Sequence, residues 1–223
     1  MALDKDDEAV RGALTRAIAR LGHSPTIDDL AAELSRTPSD ITCSLQRLAD
    51  AHALLLHPGM TSPWVVHPFA LSAGSCWVET ARGGYWANCL YCACGIAAAL
   101  NCDAHIHTRY GGEAEPVVFR VAAGALVDTG DVFHLSMPAA RWWDNVISAC
   151  ASFQPFHSTE AVDDWCRRHA LPKGAVLSLP QLWDFAHDWY GDYLREPWRK
   201  RSVDEAQRLF HRHGLTGLFW DLG

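Results

Sequence analysis

The sequence predicts an α+β fold in two domains, residues 1–70 and residues 71–223. Three observations favour this prediction. Apolar residues recur at helical spacing through most of the first 50 positions. Short segments with alternating apolar side chains then follow, and helical patterns return in the C-terminal third. With 223 residues, of which 49% are hydrophobic, the chain is long enough for two small domains with buried cores.

The first domain begins with three predicted helices. Helical spacing of apolar residues predicts a helix over residues 6–20. Thr26 is a suitable cap for a short second helix that runs to about Leu34. Thr37 is a suitable cap for the third helix, and Pro38 fits its first turn, where the missing N–H costs nothing.

Two short strands are predicted next, over residues 53–56 and 64–67, around a turn rich in Pro and Gly. Three helices followed by a two-stranded wing are typical of a winged-helix domain. The third helix offers only Gln46 and Arg47 for contacts with bases or phosphates. We therefore expect this domain to be structural or dimerising rather than DNA-binding.

The second domain is expected to open with a linker and a strand over residues 68–84 that ends at Gly83-Gly84. A buried, alanine-rich helix then ends near Asn101. The segments A-H-I-H-T-R-Y and P-V-V-F-R-V alternate as strands do and predict an antiparallel hairpin. D-V-F-H-L-S-M predicts another strand, and residues 141–150 fit either a helix or a loop that leads into a strand.

Three further helices complete the predicted fold. They are one capped by Ser158 or Thr159, one over residues 180–194, and one capped by Ser202 and ended by Gly214.

Charge and composition limit the partners. The formal charge is −7, and because phosphate binding depends on Lys and Arg, we expect no nucleic-acid partner. The N-terminus, M-A-L-D-K-D-D-E, lacks the apolar segment of a signal peptide, and no apolar run reaches the length of a membrane span. We expect a cytoplasmic protein without membrane contact, whose eight cysteines remain reduced.

The stretch W-A-N-C-L-Y-C-A-C places Cys89, Cys92 and Cys94 within six positions. Cys89 and Cys92 share one face of the predicted helix, whereas Cys94 lies on another side. C-x-x-C at the start of a helix fits a structural zinc site, a redox pair or small core residues. The chain has no second C-x-x-C, and the predicted hairpin argues against a thioredoxin-like context. The candidate further zinc ligands are Cys102, Cys150, His105 and His107.

Two segments carry a family resemblance. Y-W-A-N-C-L-Y-C-A-C-G-I-A-A-A-L-N-C-D-A-H-I resembles the first active-site segment of the organomercurial (alkylmercury) lyase family. V-I-S-A-C-A-S-F-Q-P-F-H-S-T-E-A-V-D-D-W-C-R-R-H resembles the second. The resemblance covers most of residues 5–190 and includes a winged helix at the N-terminus. It implies an alkylmercury-lyase-like α+β domain with antiparallel strands and helices over residues 71–223. The C-terminal helical extension has no counterpart.

The resemblance also implies roles for three residues. The family's first catalytic cysteine falls on Cys89 and its second on Cys150. The family's catalytic carboxylate lies three positions after the first cysteine, where this chain has Cys92. The resemblance thus implies an organomercurial lyase whose three thiols are both catalytic and mercury-binding. Cys92 either donates the proton as a thiol acid or becomes a third ligand that traps the metal. Asp144 and Asn145 are alternative sources of a polar group near Cys150.

The implied reaction needs no cofactor, because thiolates are the preferred ligands of the soft ion Hg(II) and cysteines supply them. We expect a small organometallic substrate, Hg(II) held as the product, release by reduced small thiols, and transfer of the product to a mercuric reductase. Two alternatives stay open. One is a lyase-fold enzyme redirected to another carbon–heteroatom or soft-element substrate. The other is a non-enzymatic winged-helix protein that binds metal through thiolates.

Overall fold

A computed structural model describes residues 3–223 of the chain and shows the mixed helical and antiparallel architecture that the sequence predicts. The eight helices of these residues are α1 (Lys5–Leu21), α2 (Ile27–Leu34), α3 (Pro38–Asp50), α4 (Leu90–Leu100), α5 (Val146–Ala151), α6 (Thr159–His169), α7 (Leu179–Tyr190) and α8 (Val203–Arg212). The strands are β1 (Leu55–Leu56), β2 (Pro63–Val66), β3 (Phe69–Ala70), β4 (Cys76–Thr80), β5 (Gly83–Ala87), β6 (Ala104–Arg109), β7 (Pro116–Ala122), β8 (Ala125–Leu126), β9 (Val132–Leu135), β10 (Gln154–Phe156) and β11 (Ala175–Ser178).

The strands form two antiparallel sheets. The larger sheet has the order β1-β2-β3-β5-β4-β6-β7-β8, and the smaller has the order β10-β9-β11. The predicted hairpin of β6 and β7 is confirmed, with Ile106 opposite Phe119. Strand β3 pairs with β2 on one side and with β5 on the other, so the large sheet continues across position 70.

The N-terminal helices begin where local sequence predicts. The hydroxyls of Thr26 and Thr37 each accept a hydrogen bond from the backbone N–H three residues later, at 3.1 Å. The carboxylates of Asp29 and Asp40 accept bonds from the backbone N–H of these threonines in return, which completes a capping box at each helix. Such caps satisfy backbone donors that the first helical turn leaves free.

Polar side chains of α3 are engaged within the protein. Arg47 donates to both carboxylate oxygens of the buried Asp7 on α1, at 2.7 and 2.8 Å. Gln46 donates to Asp50 one turn further along α3 at 3.0 Å. Both side chains that the sequence offered for DNA contact therefore have partners within the protein. The expectation that the protein has no nucleic-acid partner stays a prediction.

Helix α4 is the centre of the second part of the chain, and every one of its residues is buried. It packs against α7, and this close approach depends on Gly95. A Cβ atom at Gly95 would lie 2.3 Å from Cδ2 of Tyr190. The contact fixes the start of α4, where Cys89 is the N-cap residue, relative to the aromatic side chains of α7.

Two predicted boundaries were wrong. The first strand of the second domain ends at Thr80, and Gly83 begins a separate strand, because the chain turns back between them and β5 pairs with β4. The helix predicted over residues 180–194 ends at Tyr190. The strands β3, β8, β10 and β11 were not predicted, because pairing with neighbouring strands defines them rather than a local pattern. In the part of the chain that the structure describes, no helix has both the length and the apolar character needed to cross a bilayer.

Candidate functional site

Three cysteine thiols that are distant in sequence meet at the start of α4. The Sγ atoms of Cys89 and Cys92 are 3.6 Å apart. Cys150 reaches them from α5, and its Sγ lies within 4.8 Å of that of Cys92. All three side chains are buried, with exposures of 1%, 2% and 6% in chain order. The arrangement is a compact set of soft donor atoms shielded from bulk water.

Local structure places each thiol. Cys89 follows β5 in an extended conformation, and its side chain makes no capping bond, so its thiol is available to the site. Cys92 lies one turn later on the same face. Asn145 caps α5 by accepting a bond from the backbone N–H of Ser148 at 3.0 Å, and the short helix then carries Cys150 to the cluster. Asn145 is thus a helix cap.

The thiols line a cavity of about 410 Å³. Its wall is mainly apolar and includes the aromatic residues Tyr91, Trp142, Trp143, Phe153, Trp189, Tyr190, Tyr193, Trp198 and Phe210. Apolar walls around a few polar groups are typical of sites that bind small organic molecules. The cavity can therefore take a small hydrocarbon group next to sulfur.

The environment keeps the thiols protonated before a metal arrives. Burial raises the pKa of Cys89 well above the ordinary thiol value. For Cys92 the main cause of a raised pKa is its hydrogen bond with Cys150, and burial adds to it. For Cys150 the main cause is its hydrogen bond with Cys89, again with burial. All three thiols therefore hold their protons at neutral pH, until a soft cation displaces them.

His67 lies at the same site and was not expected there. Its ring nitrogen and the sulfurs of Cys92 and Cys150 all lie within 4.8 Å of one another. Burial, with a smaller contribution from the charge of Arg11, lowers the pKa of His67 to about 4, so its imidazole is neutral at neutral pH. The residue follows β2, far from the cysteines in sequence, and no local pattern connects it to them.

The carboxylate nearest in sequence to Cys150 does not join the thiols. Asp144 lines the edge of the cavity, where its side chain is 57% exposed and accepts a hydrogen bond from Arg141 at 3.0 Å. Within residues 3–223, the potential metal-binding group around Cys92 contains no Asp or Glu. Among these described residues, the donor atoms that gather at the site are thus sulfur and imidazole nitrogen.

Of the four further zinc ligands that the sequence suggested, only Cys150 is at the cluster. His105 and His107 point outward from β6, where alternation puts them on the exposed face, and His107 contacts Glu79 at 3.2 Å. Cys102 is half-buried beyond the end of α4. The remaining cysteines lie apart: Cys43 is exposed on α3, Cys76 and Cys94 are buried in the core, and Cys166 lies 3.8 Å from Nε2 of His134.

Comparisons with known proteins agree with the fold. The family described as MerB, alkylmercury lyase, matches residues 69–191, which is more than half of the chain. Ten chains of solved structures match. One of them, the crystal structure of the mercury-bound form of MerB2, has 16% sequence identity and a TM-score of 0.68, and the match covers 87% of this chain and 93% of that one. A search of the curated proteins found no match.

The fold and the buried thiols therefore define the class of enzyme that breaks carbon–mercury bonds. The chain belongs to the alkylmercury lyase family. It is an organomercurial lyase.

Proposed function

We propose that Cys89, Cys92 and Cys150 are the catalytic and mercury-binding residues and that thiols alone perform the protonolysis. The observation that carries this proposal is the convergence of three buried thiols on one apolar cavity, with 3.6 Å between Cys89 and Cys92. The thiols are buried, and the cavity has room for the organic group of a small organomercurial.

The reaction begins with ligand exchange. A thiol of the cluster loses its proton and replaces the anionic ligand of R–Hg–X, which gives protein-S–Hg–R and HX. Hg(II) is soft and prefers thiolate over oxygen or nitrogen ligands, so this step is favourable even though the free thiols have a raised pKa. The hydrocarbon group R then lies against the aromatic wall.

The carbon–mercury bond breaks in the second step. The thiol of Cys150 gives its proton to Cys92 and binds mercury as a thiolate, which pushes electron density towards carbon. Cys92 transfers its own proton to that carbon, so it is a thiol again when the step ends. The products are R–H and protein-S–Hg–S-protein, and mercury stays Hg(II) throughout. We assign the mercury-binding pair to Cys89 and Cys150 and the proton transfer to Cys92. Cys92 lies 3.6 Å from Cys89, and its hydrogen bond with Cys150, together with burial, raises its pKa, so it keeps a proton to donate.

The product is a buried dithiolate complex of Hg(II). We propose that reduced small thiols release it by ligand exchange, and that a mercuric reductase is the natural recipient. The enzyme requires no further cofactor in this scheme, because the three side chains supply both the ligands and the proton.

We further propose that residues 1–70 act as a winged-helix domain with a structural role and residues 71–223 as the catalytic domain. Support comes from the three capped helices followed by the β1–β2 pair. Arg11 on α1 lines the cavity and donates to the carbonyl oxygens of Ala53 and His67, both at 2.8 Å. The first domain thereby contributes directly to the wall of the site. The cytoplasm, with its reduced thiol pool, is the compartment that this chemistry suits.

Methylmercury supplied with an excess of a small thiol tests the assignment. The reduced native protein should release methane with turnover, measured by headspace gas chromatography. Cys89→Ser and Cys150→Ser should each lower the rate by at least about a thousandfold, as expected for a group that binds the reacting atom. Cys43→Ser, which changes an exposed cysteine of α3, is the matched control and should keep the native rate. Methane release by either site variant at the control rate would refute the assignment.

The second candidate function is a protein that traps Hg(II), and the observation that favours it is the presence of three thiols at one site. If all three sulfurs bind Hg(II) at once, the product stays in place and turnover stops after one equivalent. The same experiment separates the two functions, since a trap releases one methane per chain at most.

A further inference from the structure

We propose that His67 completes, with Cys89, Cys92 and Cys150, a four-ligand site for a zinc ion, which occupies the thiols when no organomercurial is bound. The inference deepens the proposed function, because it names a second ligand for the same three thiols. It requires only that the thiols and the imidazole be free to bind metal, and does not require the lyase reaction.

The distances are close to those of a tetrahedral site. In such a site, with Zn–S of about 2.3 Å and Zn–N of about 2.0 Å, neighbouring donor atoms are roughly 3.5–3.8 Å apart. The 3.6 Å between the sulfurs of Cys89 and Cys92 already has this length. The donor atoms of His67, Cys92 and Cys150 lie within 4.8 Å of one another, so these edges must shorten by up to roughly 1.3 Å. The sulfur of Cys89 is not part of that group of three, and it must also approach when the ion binds.

The donor set selects the ion. Three cysteines and one histidine are a ligand set typical of zinc, which favours thiolate and imidazole in tetrahedral geometry. Calcium and magnesium require oxygen ligands. In the described part of the chain, the group around Cys92 consists of sulfur and nitrogen donors without a carboxylate. Binding removes the thiol protons to solvent, and no electron transfer is involved.

The surroundings of His67 hold it beside the thiols. Its backbone carbonyl accepts a hydrogen bond from the guanidinium of the buried Arg11 at 2.8 Å. Its ring stands edge-on to the indole of Trp143, with 5.5 Å between centroids. Because the backbone and the ring plane are already constrained, little conformational freedom is lost when the imidazole binds a metal. His67 is the only one of the four donors that is not fully buried, and it lies at the cavity side of the cluster.

Zinc and an organomercurial would then compete for the same sulfurs. Mercury is softer and displaces zinc from thiolate, so zinc delays the reaction without preventing it. Zinc-loaded enzyme should show a lag before methane appears, and prior treatment with a chelator should remove the lag.

Metal titration of the reduced, metal-free native protein tests the site. We expect one zinc per chain. Cobalt(II) as the spectroscopic probe should give thiolate-to-metal charge transfer and the strong ligand-field bands of a tetrahedral ion. His67→Asn should weaken zinc binding by at least about tenfold and shift the ligand-field bands. His105→Asn, which removes an exposed histidine of β6, is the matched control and should change neither.

X-ray absorption of the zinc-loaded native protein gives a readout that needs no variant. Three sulfur neighbours and one nitrogen neighbour are the expected result. A folded, reduced native protein that binds no zinc, a coordination shell without nitrogen, or an unchanged affinity and cobalt spectrum in folded His67→Asn would each overturn the inference. Methane release by a protein that binds no zinc would leave the lyase proposal intact. Zinc binding without methane would refute only the lyase proposal.

Discussion

The N-terminal helices and the thiol site are specified by the sequence in opposite ways. Each of the helices α2 and α3 is started by a capping box whose two partners lie three residues apart, Thr26 with Asp29 and Thr37 with Asp40. The thiol site brings together Cys89, Cys92 and Cys150 with His67, from three separate segments of the chain. Local interactions are therefore enough to locate the first region, whereas the second exists only once the whole fold has formed.

This difference predicts separate effects of mutation. Substitutions at the site should change activity strongly and stability little. Substitutions in the caps and ion pairs of the N-terminal region should change stability and leave the chemistry intact.

The largest expected effect is on proton delivery. Cys92→Ala removes the proposed donor while Cys89 and Cys150 can still bind mercury. We expect methane release from methylmercury to fall by about 10²–10⁴-fold, the usual contribution of a positioned acid. Single-turnover headspace chromatography measures it, and binding of Hg(II) should persist. Unchanged release would show that the proton comes from elsewhere.

The next largest effect is a loss of stability when the packing of α4 against α7 is disturbed. Gly95→Ala places a Cβ 2.3 Å from the ring of Tyr190, so α4 and α7 must separate or the ring must move into the cavity. Overpacking of this kind destabilises by about 1–3 kcal/mol. Thermal unfolding should detect the loss. Helix propensity favours Ala over Gly, so a loss of stability in Gly95→Ala must come from the clash.

The ion pair between Asp7 of α1 and Arg47 of α3 makes a pH-dependent contribution to stability. Burial acts to raise the pKa of Asp7, but hydrogen bonds from Arg47 and Ser44 outweigh it, and the pKa is lowered overall. The stabilisation is thus present above the ordinary carboxyl pKa and is lost as the pH falls through the lowered value. Asp7→Asn should cost about 1–3 kcal/mol at neutral pH.

Denaturant unfolding at neutral and acidic pH measures this difference. The difference in free energy of unfolding between the native protein and Asp7→Asn should become smaller at acidic pH. A difference that stays constant as the pH falls would mean that the charge of Asp7 does not contribute to stability.

The smallest effect is that of a single cap. Thr37→Ala removes the hydroxyl that accepts a hydrogen bond from the backbone N–H of Asp40. The substitution should lower the free energy of unfolding by about 1 kcal/mol. Methane release should remain at the native rate. A large loss of activity would show that the first domain controls the site more closely than its local caps suggest.

The features that the sequence could predict are those set by local interactions, as in the N-terminal helices. Caps and alternation were enough to predict α1–α3, the β6–β7 hairpin and the starts of α6 and α8, because their signals lie within a few residues. The two-residue strands β3 and β8 had no such signal. The thiol motif was visible as C-x-x-C, but periodicity could not connect it with Cys150, and only the family resemblance suggested that partner.

His67 could not have been found in this way. Its place beside the thiols results from the turn after β2 and from the hydrogen bond that Arg11 of α1 donates to its carbonyl. Both are tertiary features. The sequence instead suggested His105 and His107, whose nearness in sequence to the cysteines was misleading because β6 turns them outward.

The most direct test of the central claim is the reaction of the reduced native protein with methylmercury in D₂O, with methane analysed by mass spectrometry. A three-thiol lyase should release monodeuterated methane with repeated turnover, because the proton on carbon comes from an exchangeable thiol. Cys92→Asp, which puts a carboxylic acid at the position of the proposed proton donor, should also be active. Methane from Cys92→Asp but none from the native protein would contradict the account, since a thiol would then be unable to replace the acid.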